Sequence, residues 1–183
     1  RRRVRSIHER MLAHGEVLIP VDQDEVLART RELIDDGAQT IAISFLLAHR
    51  NPTHEQLAKQ WIEEAFPGTY VCTSSEVWPQ QREYERTLIS VINAYVGDRL
   101  RTYFHTLARR MNDIGMRCRV FSTKSNGGVM TVETAAESPV ETLLSGPASG
   151  VIGAAYVGQL INDSRLVTLD MGGTSVDVSI VHD

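Results

Sequence analysis

Residues 166–183 read LVTLDMGGTSVDVSIVHD: two apolar strands, Leu166–Leu169 and Val176–Val181, joined by Asp170, Met171, Gly172, Gly173, Thr174 and Ser175. A tight hairpin needs only two turn residues, typically Asn-Gly or Asp-Gly, so this joint carries more than a chain reversal demands. Gly172 and Gly173 remove side chains where the backbone turns, and successive bare amides in such a turn form a concavity that suits an anion. The hydroxyls of Thr174 and Ser175 add donors toward phosphate oxygens. Asp170 and Asp177 flank the hollow and would repel a bare polyphosphate; they make chemical sense with a hydrated Mg²⁺ between carboxylate and phosphate. The pattern therefore points to ATP with magnesium. The ordinary alternative is a decorated hairpin, with glycines for the turn and aspartates as caps.

Immediately upstream, VETLLSGPASGVIGAAYVGQLI (140–161) predicts a helix beginning near Pro147, since proline suits the first helical position. Gly146, Ala148, Ser149, Gly150, Gly153, Ala154, Ala155 and Gly158 leave little bulk, so a ligand or another backbone could approach closely; close packing alone explains the pattern equally well. The spacing is neither the dinucleotide fingerprint nor a Walker A loop. Before it, RVFSTK (119–124) reads as a strand leading into SNGG (125–128).

Further upstream, Leu88, Ile92, Val96, Leu100, Tyr103, Leu107, Met111 and Ile114 recur every three or four residues without proline. This predicts one helix over 85–115, about 45 Å long at 1.5 Å per residue, with length enough to bridge two lobes. Gly97 within it is a kink or a tolerated interior glycine. QTIAISFLLA (39–48) is a nearly continuous apolar run that predicts a central parallel strand covered on both faces. A helix follows, capped by Thr53 with Leu57, Trp61 and Ala65 on one face, and then a strand over 69–74, which together make a βαβ unit. Asp22 and Glu25 have the spacing of a reciprocal capping box for a helix ending at Gly37.

The chain has 183 residues, 42% hydrophobic and 23% charged, with a formal net charge of −4. Disorder is set aside on that composition, and no overall basic field recruits nucleic acid or an anionic membrane. The basic run Arg1, Arg2, Arg3 and Arg5 reads as a solvated terminus. The apolar stretch 150–161 is too short to span a bilayer, and no apolar core of a signal peptide follows the basic run. Cys72 and Cys118 are flanked by strand-like residues and read as buried thiols of a reducing cytoplasm. The missing initiator Met and the stop beyond a strand suggest an excised piece of a longer protein.

EVWPQQREYERT (76–87) crowds Arg82, Glu83, Tyr84, Glu85 and Arg86 at the start of the long helix. Acidic residues at a helix N-terminus and Glu–Arg pairs one turn apart are ordinary. The functional reading has Arg82 or Arg86 clamping a substrate carbonyl or carboxylate. His49 and His54 lie five residues apart across a proline turn, and without a third ligand nearby they read as part of a capped turn.

LDMGGTSVDVSIV resembles the second phosphate loop of the hydantoinase/oxoprolinase family. GEVLIPVDQDEV, AISFLLAHRNPTHE, SSEVWPQQREYERT, VINAYV, SNGGVMT and LLSGPASGVIGAA occur in the order of that family's middle section. The resemblance implies an α/β fold of the actin/Hsp70/sugar-kinase-like (ribonuclease H-like) ATPase type. Residues 1–84 would end the first lobe, 85–115 would connect, and 116–183 would start the second lobe with its phosphate hairpin. It implies ATP-dependent opening of a cyclic amide such as a hydantoin or 5-oxoproline through a phosphorylated intermediate. A carboxylase subunit acting on acetone or acetophenone is the enzymatic alternative, and a regulatory nucleotide-binding module is the alternative from another class.

In this reading Asp170 and Asp177 hold Mg²⁺ or orient water, and Gly172, Gly173, Thr174 and Ser175 hold the β- and γ-phosphates of ATP. Glu83 and Arg86 serve catalysis, while Arg82 and Asn126 meet the substrate. A second, hydantoinase B-type subunit or domain is the implied partner. Val176 stands where the family loop has a second threonine, and Lys124 where a glutamine is common. The first phosphate loop and the adenosine-binding segment are not in this stretch, so the piece alone should not turn over ATP.

Overall fold

The computed structural model describes residues 3–182, so Arg1 and Arg2 of the basic run lie outside the described residues. The chain divides after Leu100 into two units.

The first unit starts with a small antiparallel pair, β1 (Arg10–Met11) and β2 (Val17–Ile19). Helix α1 (Gln23–Asp35) follows. The Glu25 amide donates to Asp22 Oδ1 at 2.8 Å, as the capping pattern predicts, but the Glu25 carboxylate reaches the His8 amide at 3.0 Å instead of returning to Asp22. The reciprocal half of the box is thus redirected to tie the N-terminal segment onto α1. Arg5 reinforces that tie, donating to Glu32 at 2.6 Å and Asp36 at 2.7 Å, so this part of the basic run is paired rather than solvated.

Strands β3 (Thr40–Ile43) and β4 (Tyr70–Thr73) run parallel, in register from Thr40 opposite Tyr70 to Ile43 opposite Thr73, with α2 (Thr53–Ala65) between them. The βαβ unit is therefore present. The strand expected over 39–48 is only four residues long, because the peptide groups of Phe45 are taken by side chains: its N–H by Glu55 at 2.8 Å and its C=O by Arg86 at 2.8 Å. Among the described residues β3 pairs on one side only, so the central placement expected for it is not seen.

Thr53 does not cap α2, which begins after Pro52 without a side-chain cap; the Thr53 N–H and hydroxyl both donate to Asn51 Oδ1, at 3.0 and 2.6 Å. The buried side of α2 is His54, Glu55, Ala58 and Ile62. Leu57 and Trp61 are only partly buried and Ala65 is exposed, which rotates the helix from the face expected of it. Val21, Val26, Ile41, Ile43, Ala58, Ile62 and Val71 form the core between the helices and this sheet.

A short helix α3 (Ser74–Val77) precedes α4 (Glu83–Asp113), whose 31 residues realise the long helix two residues earlier than the periodicity predicts. Gly97 in α4 has a packing role. A Cβ at this position would lie 2.5 to 2.8 Å from three atoms of the Tyr70 ring, which is buried and whose hydroxyl accepts from Asn93 Nδ2 at 3.0 Å. Gly→Ala inside a helix ordinarily gains about 1 kcal/mol. Here overpacking opposes it, and Gly97→Ala is expected to lower stability by about 1–3 kcal/mol in a denaturant titration. A gain in stability would show that the ring has room to move.

In the second unit, β5 (Phe121–Thr123) and β6 (Val129–Thr131) form a hairpin across SNGG. Helix α5 (Val132–Glu137), capped by Thr131, and a 3₁₀ turn (Pro139–Thr142) lead to α6 (Ser145–Ile161). Helix α6 starts at Ser145, ahead of Pro147, after Leu144 in a left-handed conformation. Of its glycines, only Gly158 is explained by packing: a Cβ there would meet Leu166 Cδ1 at 2.5 Å and the Asp163 carbonyl at 2.6 Å. Gly146, Gly150 and Gly153 face open space.

The unit closes with β7 (Leu166–Met171) and β8 (Val176–Val181), antiparallel, with α6 packed on both. Both cysteines are free; burial pushes the Cys72 thiol up to about 11, whereas Cys118 is exposed, contrary to the expectation of two buried thiols. Among the described residues no helix is long and apolar enough to cross a membrane.

Candidate functional site

The residues expected to bind phosphate all lie on the β7–β8 hairpin. Asp170 and Asp177 are direct cross-strand partners, one pair inside Met171 and Val176, which end the ladder at the turn. Both are exposed. Like charges directly opposite on an antiparallel pair are destabilising, and the fold supplies no cation to relieve them: neither aspartate forms an ion pair among the described residues. Two such carboxylates match the donors Mg²⁺ takes from a protein, one or two carboxylates with the remaining positions left to water and phosphate.

The turn itself is closed by the Gly172 amide, which donates to the Ser175 carbonyl at 3.1 Å. Among the described residues, the amides of Gly173, Thr174 and Ser175 have no intramolecular acceptor, and the Thr174 and Ser175 hydroxyls have no partner. Three amides and two hydroxyls are thus left on one short turn.

Neither glycine is required by the fold. Gly172 and Gly173 both lie outside the left-handed φ region, and a Cβ built on either meets nothing within 4 Å. SNGG is the instructive contrast. Gly127 has φ +85° and a Cβ there would fall 2.0 Å from Ile152 Cδ1, so packing and backbone geometry both demand glycine. Asn126 Oδ1 accepts the Gly128 amide of the same turn at 3.1 Å, and Lys124 pairs with Glu141.

The remaining candidates belong to the first unit. Arg82 and Glu83 lie with Trp78, Gln80 and Gln81 around an open depression of about 650 Å³. The Arg82 side chain is 76% exposed and touches Glu85 at 3.4 Å. Its backbone is left-handed, with φ 88°, which is uncommon for any residue but glycine and asparagine.

Arg86 is fully buried, and its guanidinium donates to Ser74 Oγ (2.9 Å), the Gln80 carbonyl (3.1 Å), the Phe45 carbonyl (2.8 Å) and His49 Nδ1 (3.3 Å). Glu55, which the sequence reading passed over, is equally buried. It accepts from the Phe45 amide, the Ser74 hydroxyl, and both the amide and hydroxyl of Ser75, at 2.6 to 2.8 Å. His54 is also buried and pairs with Glu9 at 2.7 Å, so the two histidines of the proline turn serve different neighbours. Among the described residues no group of three or more His, Cys, Asp or Glu gathers as a metal site.

Burial first, and then the charges of Arg86 and Arg50, hold the His49 imidazole below its ordinary value, with Glu83 opposing. The unfolded chain therefore takes up the proton more readily than the folded one. Stability from this group is complete above the ordinary histidine range, about 6.5, and is lost as pH falls from there toward the depressed value. His49→Gln, which keeps an acceptor for Arg86, is expected to flatten the dependence of the urea midpoint on pH as the pH falls below the ordinary histidine value of about 6.5. Parallel curves for the two proteins would count against this.

Residues 86–183 match the family model described as Hydantoinase/oxoprolinase, and residues 1–66 match that described as Hydantoinase/oxoprolinase N-terminal region. The alpha subunit of caprolactamase from Pseudomonas jessenii is 34% identical over 176 residues, covering 96% of this chain and 25% of that protein. The 5-oxoprolinase of Saccharomyces cerevisiae is 31% identical over 159 residues, 86% of this chain and 12% of that one. The nucleotide-free structure of acetone carboxylase, described under the mechanism of ATP-dependent acetone carboxylation, superposes with a TM-score of 0.88 at 27% identity, covering 96% of this chain and 25% of that chain. The chain thus spans about a quarter or less of the length of these relatives. With family models matching both its N-terminal part and its C-terminal half, this chain belongs to the hydantoinase/oxoprolinase family.

Proposed function

We propose that the β7–β8 hairpin binds the phosphates of ATP, and that the full-length protein uses ATP to open a cyclic amide of the hydantoin or 5-oxoproline class. The observation that carries this reading is the turn at 172–175, with three uncommitted amides, two uncommitted hydroxyls and two glycines that nothing inside the fold requires. Phosphoryl transfer asks a protein mainly for positioning and charge neutralisation, and these groups do both. Gly173, Thr174 and Ser175 hold the β- and γ-phosphates through amides and hydroxyls, and Gly172 keeps the approach clear of a side chain. Asp170 and Asp177 hold Mg²⁺, which when bound neutralises phosphate charge.

The relatives named caprolactamase and 5-oxoprolinase support a cyclic amide as substrate. In this reading the fold is of the actin-like ATPase type, with residues 1–84 closing one lobe, 85–115 connecting, and 116–183 opening the next. The protein works in the cytoplasm with a hydantoinase B-type partner, a subunit arrangement supported by the naming of the caprolactamase relative as an alpha subunit. A carboxylase subunit is the second reading, favoured by the likeness to acetone carboxylase.

Phosphate release by the full-length protein and its partner, with Mg²⁺-ATP, separates the two. Stimulation by 5-oxoproline, hydantoin or caprolactam is the expected result. Stimulation by acetone only when bicarbonate is present selects the carboxylase, and indifference to every compound contradicts both.

A further inference from the structure

Ligands of α/β sheets bind in the crevice beyond the carboxyl ends of parallel strands, where the loops converge. In this chain the loops leaving β3 and β4 at that end are 44–50 and 74–83, and both contain a residue the backbone strains. Leu47 has φ 60° and Arg82 φ 88°, two of the four non-glycine residues with positive φ among the described residues. Such conformations persist only where the surroundings over-determine them.

A single buried network holds both loops close to these two residues. Arg86 holds the carbonyls of Phe45 and Gln80, each two residues before a strained one. Glu55 holds the amides of Phe45 and Ser75. Ser74 Oγ links the two, donating to Glu55 at 2.6 Å and accepting from Arg86 Nε at 2.9 Å. Glu55, Ser74 and Arg86 all have 0% exposure, and fully buried Glu and Arg are rare unless paired. Taking Glu55 and Arg86 out of water is costly, and their hydrogen bonds to both loops offset that cost.

We propose that Glu55, Ser74 and Arg86 form a clamp that presents Arg82 and Glu83 to the substrate at the carboxyl end of β3 and β4. The exposed Arg82 guanidinium donates to a carbonyl oxygen and the Glu83 carboxylate accepts from an N–H, which together complement a cyclic amide. Glu55, Ser74 and Arg86 are positioning residues, since they act through Arg82 and Glu83. The substrate class rests on the function proposed above; the clamp itself does not.

The test uses the full-length protein with Glu55→Gln, Ser74→Ala and Arg86→Lys. Amide hydrogen exchange in Glu55→Gln is expected to accelerate at least tenfold over 44–50 and 74–83, while α1 keeps its wild-type rates. The KM for the stimulating amide is expected to rise at least tenfold, with the KM for ATP within twofold. Ser74→Ala removes only the link and shows the same split more mildly, which keeps the test open if Glu55→Gln does not fold. Lysine cannot reproduce the guanidinium fork, so Arg86→Lys behaves like Glu55→Gln and does not restore the wild type.

Exchange that accelerates throughout the unit, or an amide KM unchanged by loosened loops, overturns the proposal. If no amide stimulates the wild type, the functional reading fails, and the exchange pattern alone decides whether the clamp stands.

Discussion

Asp170→Ala in the full-length protein is expected to lower ATP turnover by about 10²- to 10³-fold, the usual loss when one electrostatic contact to the transition state is removed. The hairpin should survive the change. Asp170 is exposed, and its place in the ladder opposite Asp177 depends on backbone pairing. Removing one of two facing carboxylates also relieves a cross-strand repulsion worth on the order of 0.2–1 kcal/mol. The variant should therefore be as stable as the parent or slightly more so in thermal denaturation without Mg²⁺, while phosphate release collapses. Full turnover in the variant would return the aspartates to ordinary surface residues.

Gly173→Ala separates a phosphate loop from a decorated hairpin more sharply. The backbone at this position is not left-handed and a Cβ meets nothing within 4 Å, so alanine reduces the freedom of the unfolded chain at no steric cost and should stabilise by about 0.4–1 kcal/mol. In the proposed reading the same methyl group would stand where phosphate approaches, and kcat/KM for ATP is expected to fall by about 10²-fold or more. Gly127→Ala provides the opposite signature. With φ +85° and Ile152 Cδ1 2.0 Å from the added carbon, it should destabilise by about 1–3 kcal/mol and affect ATP use only through that loss. Urea unfolding and steady-state kinetics on the two variants would show whether stability and activity move in opposite directions, as they must for a loop shaped around a ligand.

Much of this arrangement was legible in the residues. The long helix follows from an unbroken apolar period and is realised at Glu83–Asp113, and the closing strands, the βαβ unit and α1 follow from local pattern and caps. What the pattern could not convey depends on contacts between distant positions. Glu55 on a helix of mixed polarity looks like a solvated carboxylate, and only the fold brings it to Ser74, 19 residues on, and to Ser75. The same contacts truncate β3, since a side chain from α2 and another from α4 claim the Phe45 peptide that an apolar run would give to a ladder. Leu47 and Arg82 are neither glycine nor asparagine, so their positive φ was not legible in the residue types. In the β7–β8 hairpin the sequence indicated the donor groups, but not that the Gly172 amide is consumed in closing the turn, which leaves Gly173, Thr174 and Ser175 as the free donors.

The most direct test of the central claim is amide hydrogen exchange across 166–181 in the full-length protein, with and without Mg²⁺ and a non-hydrolysable ATP analogue. Binding is expected to slow exchange at Gly173, Thr174 and Ser175 more than at the strand amides of β7 and β8, because those three amides gain phosphate acceptors. Saturating nucleotide that protects other parts of the protein and leaves 172–175 unchanged would contradict the assignment of this hairpin as a phosphate-binding loop.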